Sequence, residues 1–299
     1  MPAADLTFTG ATDGDITKAA NWAPAQAPVN GDNLTFDSAG AHNVDANLDQ
    51  SALVPGDLLV KQTFLYEMGT AAAYFKIGMP TGRCVIGGHD GVGSPAGSGR
   101  LKIDFYKASG TTPGPLIVEN TKTSGTDANK PPVRIFSDDA DLEVFVRKGK
   151  VGLGTDAAGE SPIFGDVHVD WVANRNGDAS VQVGPGATIG DFIKTGGTAL
   201  LQCAATNVEN HAGELTIEGT GAVALLTVYG GTCIPNSTGL LSRANCYGGL
   251  TDWTRSSRPR VVTDLYTRHG ASYKLDPDVL TVTNPEHHEE PSTISIEAA

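Results

Sequence analysis

The second half of the chain carries a loose repeat in which a glycine opens each short β-prone run. The runs begin 16, 18 and 18 residues apart, at Gly197 (GTALLQ), Gly213 (GELTIE), Gly231 (GTCIPN) and Gly249 (GLTDWT). A similar run, ASYKLD, follows Gly270, and second apolar runs lie between these starts at 225–230, 240–248 and 261–270. One such coil cannot bury its own inward face, so neighbouring coils have to stack on it. The repeat therefore predicts a β-solenoid.

The strand pattern elsewhere agrees with an all-β fold. Residues 141–146 (DLEVFV) and 166–171 (DVHVDW) alternate polar and apolar side chains, as half-buried strands do. No long window has the apolar spacing of a helix, and glycine suits coil corners because they need a positive φ or close backbone approach. We predict a right-handed β-solenoid. A β-sandwich stays open as the alternative, because Asn-Gly at 30–31 and 176–177 are hairpin signals.

Three segments are predicted along the chain. Residues 1–60 form an N-terminal strand and cap segment, which holds Trp22 and covers the edge of the first coil. Residues 61–280 form the solenoid-like body, and loop-rich insertions near 86–131 project from it. Residues 281–299 form an acidic C-terminal tail. Its run STISI could add a strand to a neighbour, but a tail without structure is the preferred interpretation.

The composition restricts the partners and the cellular site. The chain has 21 Lys and Arg against 34 Asp and Glu, a formal net charge of -13, so bare nucleic acid and anionic membranes would repel it. No stretch approaches the roughly 20 apolar residues of a membrane span. The opening MPAADLTFTG has no secretory signal, so we expect synthesis in a cytoplasm.

The four cysteines show no metal-binding spacing. They are Cys84, Cys203, Cys233 and Cys246. Their apolar or glycine-rich surroundings favour buried reduced thiols that pack as small hydrophobes. A Cys233–Cys246 disulfide is the alternative.

Two acidic groups are the best candidates for chemistry. One consists of Asp138, Asp139 and Asp141. The other consists of Asp166, His168 and Asp170, which share one face of an alternating strand. Such a face could present a carboxylate and an imidazole to a sugar or bind a cation. A turn and a solvated strand face are the preferred interpretations, with a Ca²⁺ loop as the alternative for the first group.

Weaker candidates favour structural interpretations. His89-Asp90 and the run GVGSPAG (91–97) are interpreted as loops, since no nucleophile motif accompanies them. His287-His288 with Glu289-Glu290 could bind a metal weakly, but a solvated tail is preferred. The glycosylation sequons at Asn33 and Asn236 carry little weight without a secretory signal. We therefore predict no catalytic, cofactor-binding or metal-binding residues.

One basic cluster stands out in this acidic chain. Arg255, Arg258 and Arg260 lie close together in the sequence TRSSRPR. They could dock an acidic surface of another protein. A solvated loop between coils is the equally supported alternative.

The N-terminal region carries a connected pattern. It reads T-G-A-T-D-G-D-x-x-x-A-A-N-W at 9–22, P-V-N-G-D-x-x-x-F-D at 28–37 and L-D-Q-S-A-L at 48–53. This pattern resembles a family of phage structural proteins and, more distantly, the opening of autotransporter-type β-helix repeats. Ile16 departs from the family opening, which has an aromatic residue there, so Trp22 must fill the cap without that partner.

The resemblance implies a role on the exterior of a virion. It suggests a non-catalytic capsid decoration (cement) protein that binds the major capsid protein, with a homotrimer as the expected assembly. It implies no cofactor, no nucleic-acid partner and no membrane. A tail fibre or receptor-binding β-helix, a carbohydrate-active β-helix enzyme and a bacterial surface adhesin are the alternatives. An exposed aromatic stripe on one coil face would favour the glycan-binding fibre.

Overall fold

The computed structural model describes residues 3–88, 101–107, 112–119, 131–155, 161–169, 179–268, 270–289 and 293–296. Over these residues the protein is all-β, and its one helical element is the 3₁₀ turn Ala19–Asn21. The chain divides into two compact units, Met1–Leu153 and Gly154–Ala299. The sequence analysis did not predict a division at this point.

The first unit is built from two ladders of parallel strands. Its strands are β1 Asp5–Phe8, β2 Trp22–Ala23, β3 Asn33–Phe36, β4 Asp49–Gln50, β5 Leu58–Lys61, β6 Phe75–Gly78, β7 Cys84–Gly88, β8 Leu101–Tyr106, β9 Leu116–Glu119, β10 Val133–Asp139 and β11 Val144–Leu153. One ladder follows the order β1, β3, β5, β7, β9 and β11. The other follows β4, β6, β8 and β10. β2 pairs antiparallel with β1 and covers part of its outer edge.

The second unit repeats this arrangement. Its strands are β12 Ile163–Phe164, β13 Val167–Val169, β14 Ala179–Val183, β15 Thr188–Lys194, β16 Thr198–Leu201, β17 Ala204–Asn210, β18 Glu214–Ile217, β19 Val223–Val228, β20 Thr232–Pro235, β21 Leu241–Cys246, β22 Leu250–Asp252, β23 Arg260–Thr267, β24 Ser272–Leu275, β25 Leu280–Val282, β26 His287–His288 and β27 Thr293–Ile296. One parallel ladder runs through β15, β17, β19, β21 and β23 to β25 and β26. The other runs through β14, β16, β18, β20, β22, β24 and β27.

This topology confirms the predicted β-solenoid. From β3 to β10 and from β14 to β24, consecutive strands belong to alternate ladders, so two strands make one coil there, and each of these strands pairs in parallel with its counterpart in the next coil. A sandwich of hairpins would instead pair its strands antiparallel. The glycine-initiated runs become β16, β18, β20, β22 and β24, and the runs between them become β19, β21 and β23.

The core consists of apolar columns that run from coil to coil. One column runs along the ladder from β15 to β23, with one residue from each strand at the same register position. Its members are Phe192, Val208, Leu226, Ala244 and Leu265. All five side chains are fully buried. Burying one large apolar side chain contributes roughly 1.5–3 kcal/mol. The inward face of each coil is therefore completed by its neighbours.

The N-terminal pattern folds into a hydrogen-bonded loop above an aromatic cluster. The buried Asn21 accepts from the Thr12 backbone N–H at 2.8 Å and donates to Asp13 at 2.8 Å. The Trp22 indole donates to the Ile16 carbonyl at 2.7 Å. Its ring packs edge-on against Phe8, with the centroids 5.5 Å apart. Ile16 is itself fully buried, so an aliphatic side chain serves at this position.

The C-terminal segment differs from the preferred expectation of a tail without structure. Within it, β26 and β27 pair with β23 and β24 of the same chain. The backbone groups of a last coil need partners, and another strand of the chain supplies them. Residues Thr293–Ile296 of the run STISI therefore add a strand to the solenoid of their own chain.

Glycines at one corner of the second unit let the coils approach each other. Gly197, Gly213, Gly231 and Gly249 have φ between +65° and +74°. A Cβ atom on any of them would lie 2.1–2.4 Å from a carbonyl oxygen of the preceding coil. Both steric reasons for glycine at these corners, positive φ and close approach, are thus confirmed.

Replacing a stacked corner glycine tests this packing. We expect Gly231→Ala to lower the free energy of unfolding by about 3 kcal/mol or more, because it adds a backbone clash to the cost of positive φ. The control is Gly270→Ala, which has φ +88° but no described atom within 4 Å of the added carbon. Gly270→Ala should lower the free energy of unfolding by about 1–2 kcal/mol. If urea denaturation gave the same loss for both variants, the close approach of the coils at Gly231 would not matter for stability.

Candidate functional site

The predicted acidic group at Asp138, Asp139 and Asp141 is organised around a lysine. Lys107 Nζ lies 2.9 Å from Asp139 Oδ1 and 2.6 Å from Asp141 Oδ2. The two carboxylates raise the pKa of Lys107. The Lys107 backbone N–H also donates to Asp138. This turn is therefore held by ion pairs to Lys107, and the Ca²⁺ loop stays an untested alternative.

The second predicted group is described only in part, because Asp170 and Trp171 lie outside the described residues. Asp166 Oδ1 accepts the Asp191 backbone N–H at 3.0 Å, so this carboxylate orders the neighbouring coil. His168 is half-buried between the fully buried Val167 and Val169 of β13. The alternation predicted for this strand is confirmed as far as Val169.

The histidines near the C-terminus pack against aromatic rings. His287 stacks on Tyr266 with the centroids 4.8 Å apart. The two ring nitrogens of His288 lie 2.6 Å from Thr267 Oγ1 and 2.9 Å from a Glu286 oxygen. Over the described ranges no group of three or more His, Cys, Asp or Glu side chains could hold a metal ion. His89, Asp90, residues 91–97 and Glu290 lie outside those ranges.

The three arginines of TRSSRPR do not form one basic surface. Arg260 is buried, and its guanidinium donates to Ser256 O at 3.1 Å and to Asn236 Oδ1 at 3.2 Å. Arg255 pairs with the buried Asp252 at 2.9 Å. The Arg255 side chain is nevertheless 63% exposed, so Arg255 and Arg258 both lie at the surface. The docking hypothesis for this cluster stays a prediction, and of its three residues only Arg260 turns into the interior.

The cysteines are free and buried. Burial raises the pKa of Cys203 to about 12 and that of Cys246 to about 11, and it raises those of Cys84 and Cys233 as well. Thiols with such pKa values are not reactive nucleophiles. The prediction of reduced, buried thiols is confirmed, and the alternative Cys233–Cys246 disulfide is not formed.

The sequence analysis missed a stack of planar side chains on the second unit, which we call the aromatic column. It consists of His211, Tyr229, Tyr247 and Arg268, which directly follow β17, β19, β21 and β23. The His211 and Tyr229 centroids lie 4.6 Å apart, and those of Tyr229 and Tyr247 lie 5.4 Å apart. The Arg268 guanidinium lies 5.3 Å from the Tyr247 ring centroid. The column thus joins four successive coils.

A second, shorter stack lies on the same ladder. The Arg243 guanidinium is 5.0 Å from the Tyr266 ring, on which His287 also stacks. Arg243 pairs with Asp264 of the next strand at 3.6 Å. At the end of the aromatic column, Arg268 pairs with Glu289 at 2.7 Å. Rings and charges on this ladder therefore contact the neighbouring coil.

The arrangement determines what the column can bind. A ligand that stacks on an aromatic residue needs an open ring face. His211 and Tyr247 stack on Tyr229, while Tyr229 and Arg268 stack on Tyr247. Tyr229 is 46% exposed, but with neighbours on both faces it presents its edge and hydroxyl to solvent. The column is better suited to joining coils than to holding a sugar ring.

A simple sequence signal identifies the column. His211, Tyr229, Tyr247 and Arg268 each lie two residues before a corner glycine, in HAG, YGG, YGG and RHG. Because the coils repeat, these four positions lie next to one another along one ladder. Overall aromatic content, at 6%, gives no sign of such a column.

Comparisons with protein-family models, curated proteins and solved structures find no match to this chain. No helix in the described part of the chain has the length and apolarity to cross a membrane.

A substitution in the middle of the aromatic column tests how much the column contributes to the stability of the fold. Tyr229→Ala removes two stacking contacts and should lower the free energy of unfolding by about 1–2 kcal/mol. The control is Leu240→Ala, because Leu240 is 49% exposed and lies outside the column. This change should cost about 0.5 kcal/mol or less. Equal effects in chemical denaturation would show that the stacking adds nothing beyond buried area.

Proposed function

We propose that this protein is a structural virion component, a capsid decoration (cement) protein that binds and stabilises the major capsid protein shell of a phage without catalysis. The N-terminal pattern at 9–53 supports the virion assignment through its resemblance to phage structural proteins. The proposed site of action is the capsid exterior, and the proposed assembly is a homotrimer.

The outer face of the second unit is the observation that carries a mechanical role. β-Helix enzymes and glycan binders use side chains on such a face, which have to remain available to a ligand. Here the ring faces of the aromatic column and the charges of Arg243 and Arg268 contact the next coil. In the first unit, Lys107 likewise pairs with two carboxylates of the acidic turn. This chemistry favours a rigid protein that resists deformation.

The coil architecture suits a cement. Each coil is hydrogen-bonded to its neighbours along both ladders and shares their apolar columns, so bending has to break many contacts together. A stiff module that contacts two neighbouring capsomers would add its own binding free energy to the cost of separating them. The net charge of -13 limits adhesion to the packaged genome.

A tail fibre or receptor-binding β-helix is the second candidate, because the aromatic column is a surface aromatic stripe. The closed ring faces argue against stacking, but the hydroxyl edges of Tyr229 and Tyr247 remain available for hydrogen bonds. Binding of purified host-surface polysaccharide that Tyr247→Phe weakens would favour this candidate. Depolymerisation of the polysaccharide would instead indicate an enzyme.

A reconstitution experiment tests the proposal. The purified protein is added to empty shells of the major capsid protein from the same phage. Binding should saturate at a fixed ratio to the capsid subunits and raise the temperature at which the shells break open. The same protein unfolded by heat is the control for non-specific adhesion. Shells that neither bind the folded protein nor gain stability would contradict the decoration role.

A further inference from the structure

A lysine and an asparagine contact each other inside the second unit. Lys194 ends β15, Asn210 ends β17, and the two residues are direct register partners on neighbouring coils. Both residues are fully buried. Lys194 Nζ lies 3.2 Å from Asn210 Oδ1. A primary amine and a carboxamide are thus held side by side away from water.

The ammonium is poorly compensated at this position. In the described part of the chain no carboxylate forms an ion pair with Lys194, and its other hydrogen bond goes to the Ala212 carbonyl. A buried cation without a counter-ion is costly. Burial lowers the pKa of Lys194 to about 8, against the opposing effects of Cys233 and Glu214. At that pKa about a tenth of the side chain is neutral amine near pH 7, the nucleophilic form.

The carboxamide is held in a fixed orientation. Asn210 Nδ2 donates to the Gly230 carbonyl at 2.8 Å and to the Thr232 carbonyl at 3.4 Å, which turns Oδ1 toward the lysine. Gly213 leaves space for the amine, since a Cβ there would lie 2.7 Å from Lys194 Nζ. Fixing two reactants at contact distance raises their effective concentration by several orders of magnitude.

We propose that Lys194 and Asn210 form an intramolecular isopeptide bond that cross-links two successive coils. Above its lowered pKa the ammonium first gives one proton to hydroxide from the solvent. The neutral amine then attacks Cγ of Asn210, and the new C–N bond forms as the bond from Cγ to Nδ2 breaks. One further amine proton moves to Nδ2, which leaves as ammonia. Amine and carboxamide thus become a secondary amide and ammonia, with no oxidant or reductant required.

The bond would remove the buried charge and tie adjacent coils together covalently. This inference is independent of the proposed function, because it depends only on the interior of the second unit. A cross-link between coils would add mechanical strength to the solenoid whatever surface the protein binds.

The intact mass of the folded protein is the direct test. After incubation at pH 9, which favours the neutral amine, the mass should be about 17 Da below that calculated from the sequence, because one ammonia is lost. Digestion should release a branched peptide that joins the segments around Lys194 and Asn210. An unchanged mass of the folded wild-type protein after this incubation would overturn the proposal.

Succinimide formation at an Asn-Gly step also loses ammonia, and this chain has such steps at 30–31 and 176–177. Hydroxylamine at alkaline pH cleaves the chain at a succinimide and leaves an isopeptide intact. The proposal would therefore also be overturned if hydroxylamine cleaved the protein that carries the mass deficit and digestion released no branched peptide.

Two variants sharpen the result. Asn210→Ser should show no deficit from its own calculated mass. Asn207→Ser, on the same strand, should keep the deficit, because Asn207 bonds to Asp191 of β15 at 2.7 Å and does not contact Lys194. Loss of the deficit in Asn207→Ser would contradict the assignment to Asn210.

Discussion

The close approach of successive coils is the constraint on which the rest of the structure depends. Parallel strands on neighbouring coils hydrogen-bond only if the chain turns every corner without obstructing the coil beside it. At the corner of the second unit the space next to Gly213 and Gly231 is taken by a carbonyl oxygen of the preceding coil. Because successive strands keep one register, side chains at equivalent positions form columns, both in the apolar core and on the outer face. Glycine spacing thus determines the register from which the other contacts follow.

The outer columns connect the fold to the proposed role. On an isolated strand, Tyr229 and Arg268 would be ordinary surface residues. In register with their neighbours they become parts of one stack across four coils. The ring faces and charges of these columns contact the neighbouring coil. The result is a surface that stabilises the solenoid, as a protein that reinforces a shell requires.

The sequence predicted what depends on local spacing. Corner glycines with β-prone runs determined the coils, and alternation identified buried positions such as Val167 and Val169. It did not predict contacts between distant residues. The arginines of TRSSRPR look like one basic patch, but Arg260 turns inward because Asn236, one coil earlier, supplies an acceptor for it. The contact between Lys194 and Asn210 likewise exists only because residues 16 positions apart become register partners.

The central claim is that this protein reinforces a shell, and its abundance in virions tests that claim most directly. Quantitative mass spectrometry of purified particles from the phage that encodes the chain gives its copy number relative to the major capsid protein. The account predicts hundreds of copies per particle in a simple ratio to the capsid protein. A few to a few dozen copies would assign the protein to the tail or a vertex, and its absence from particles would contradict the virion role altogether.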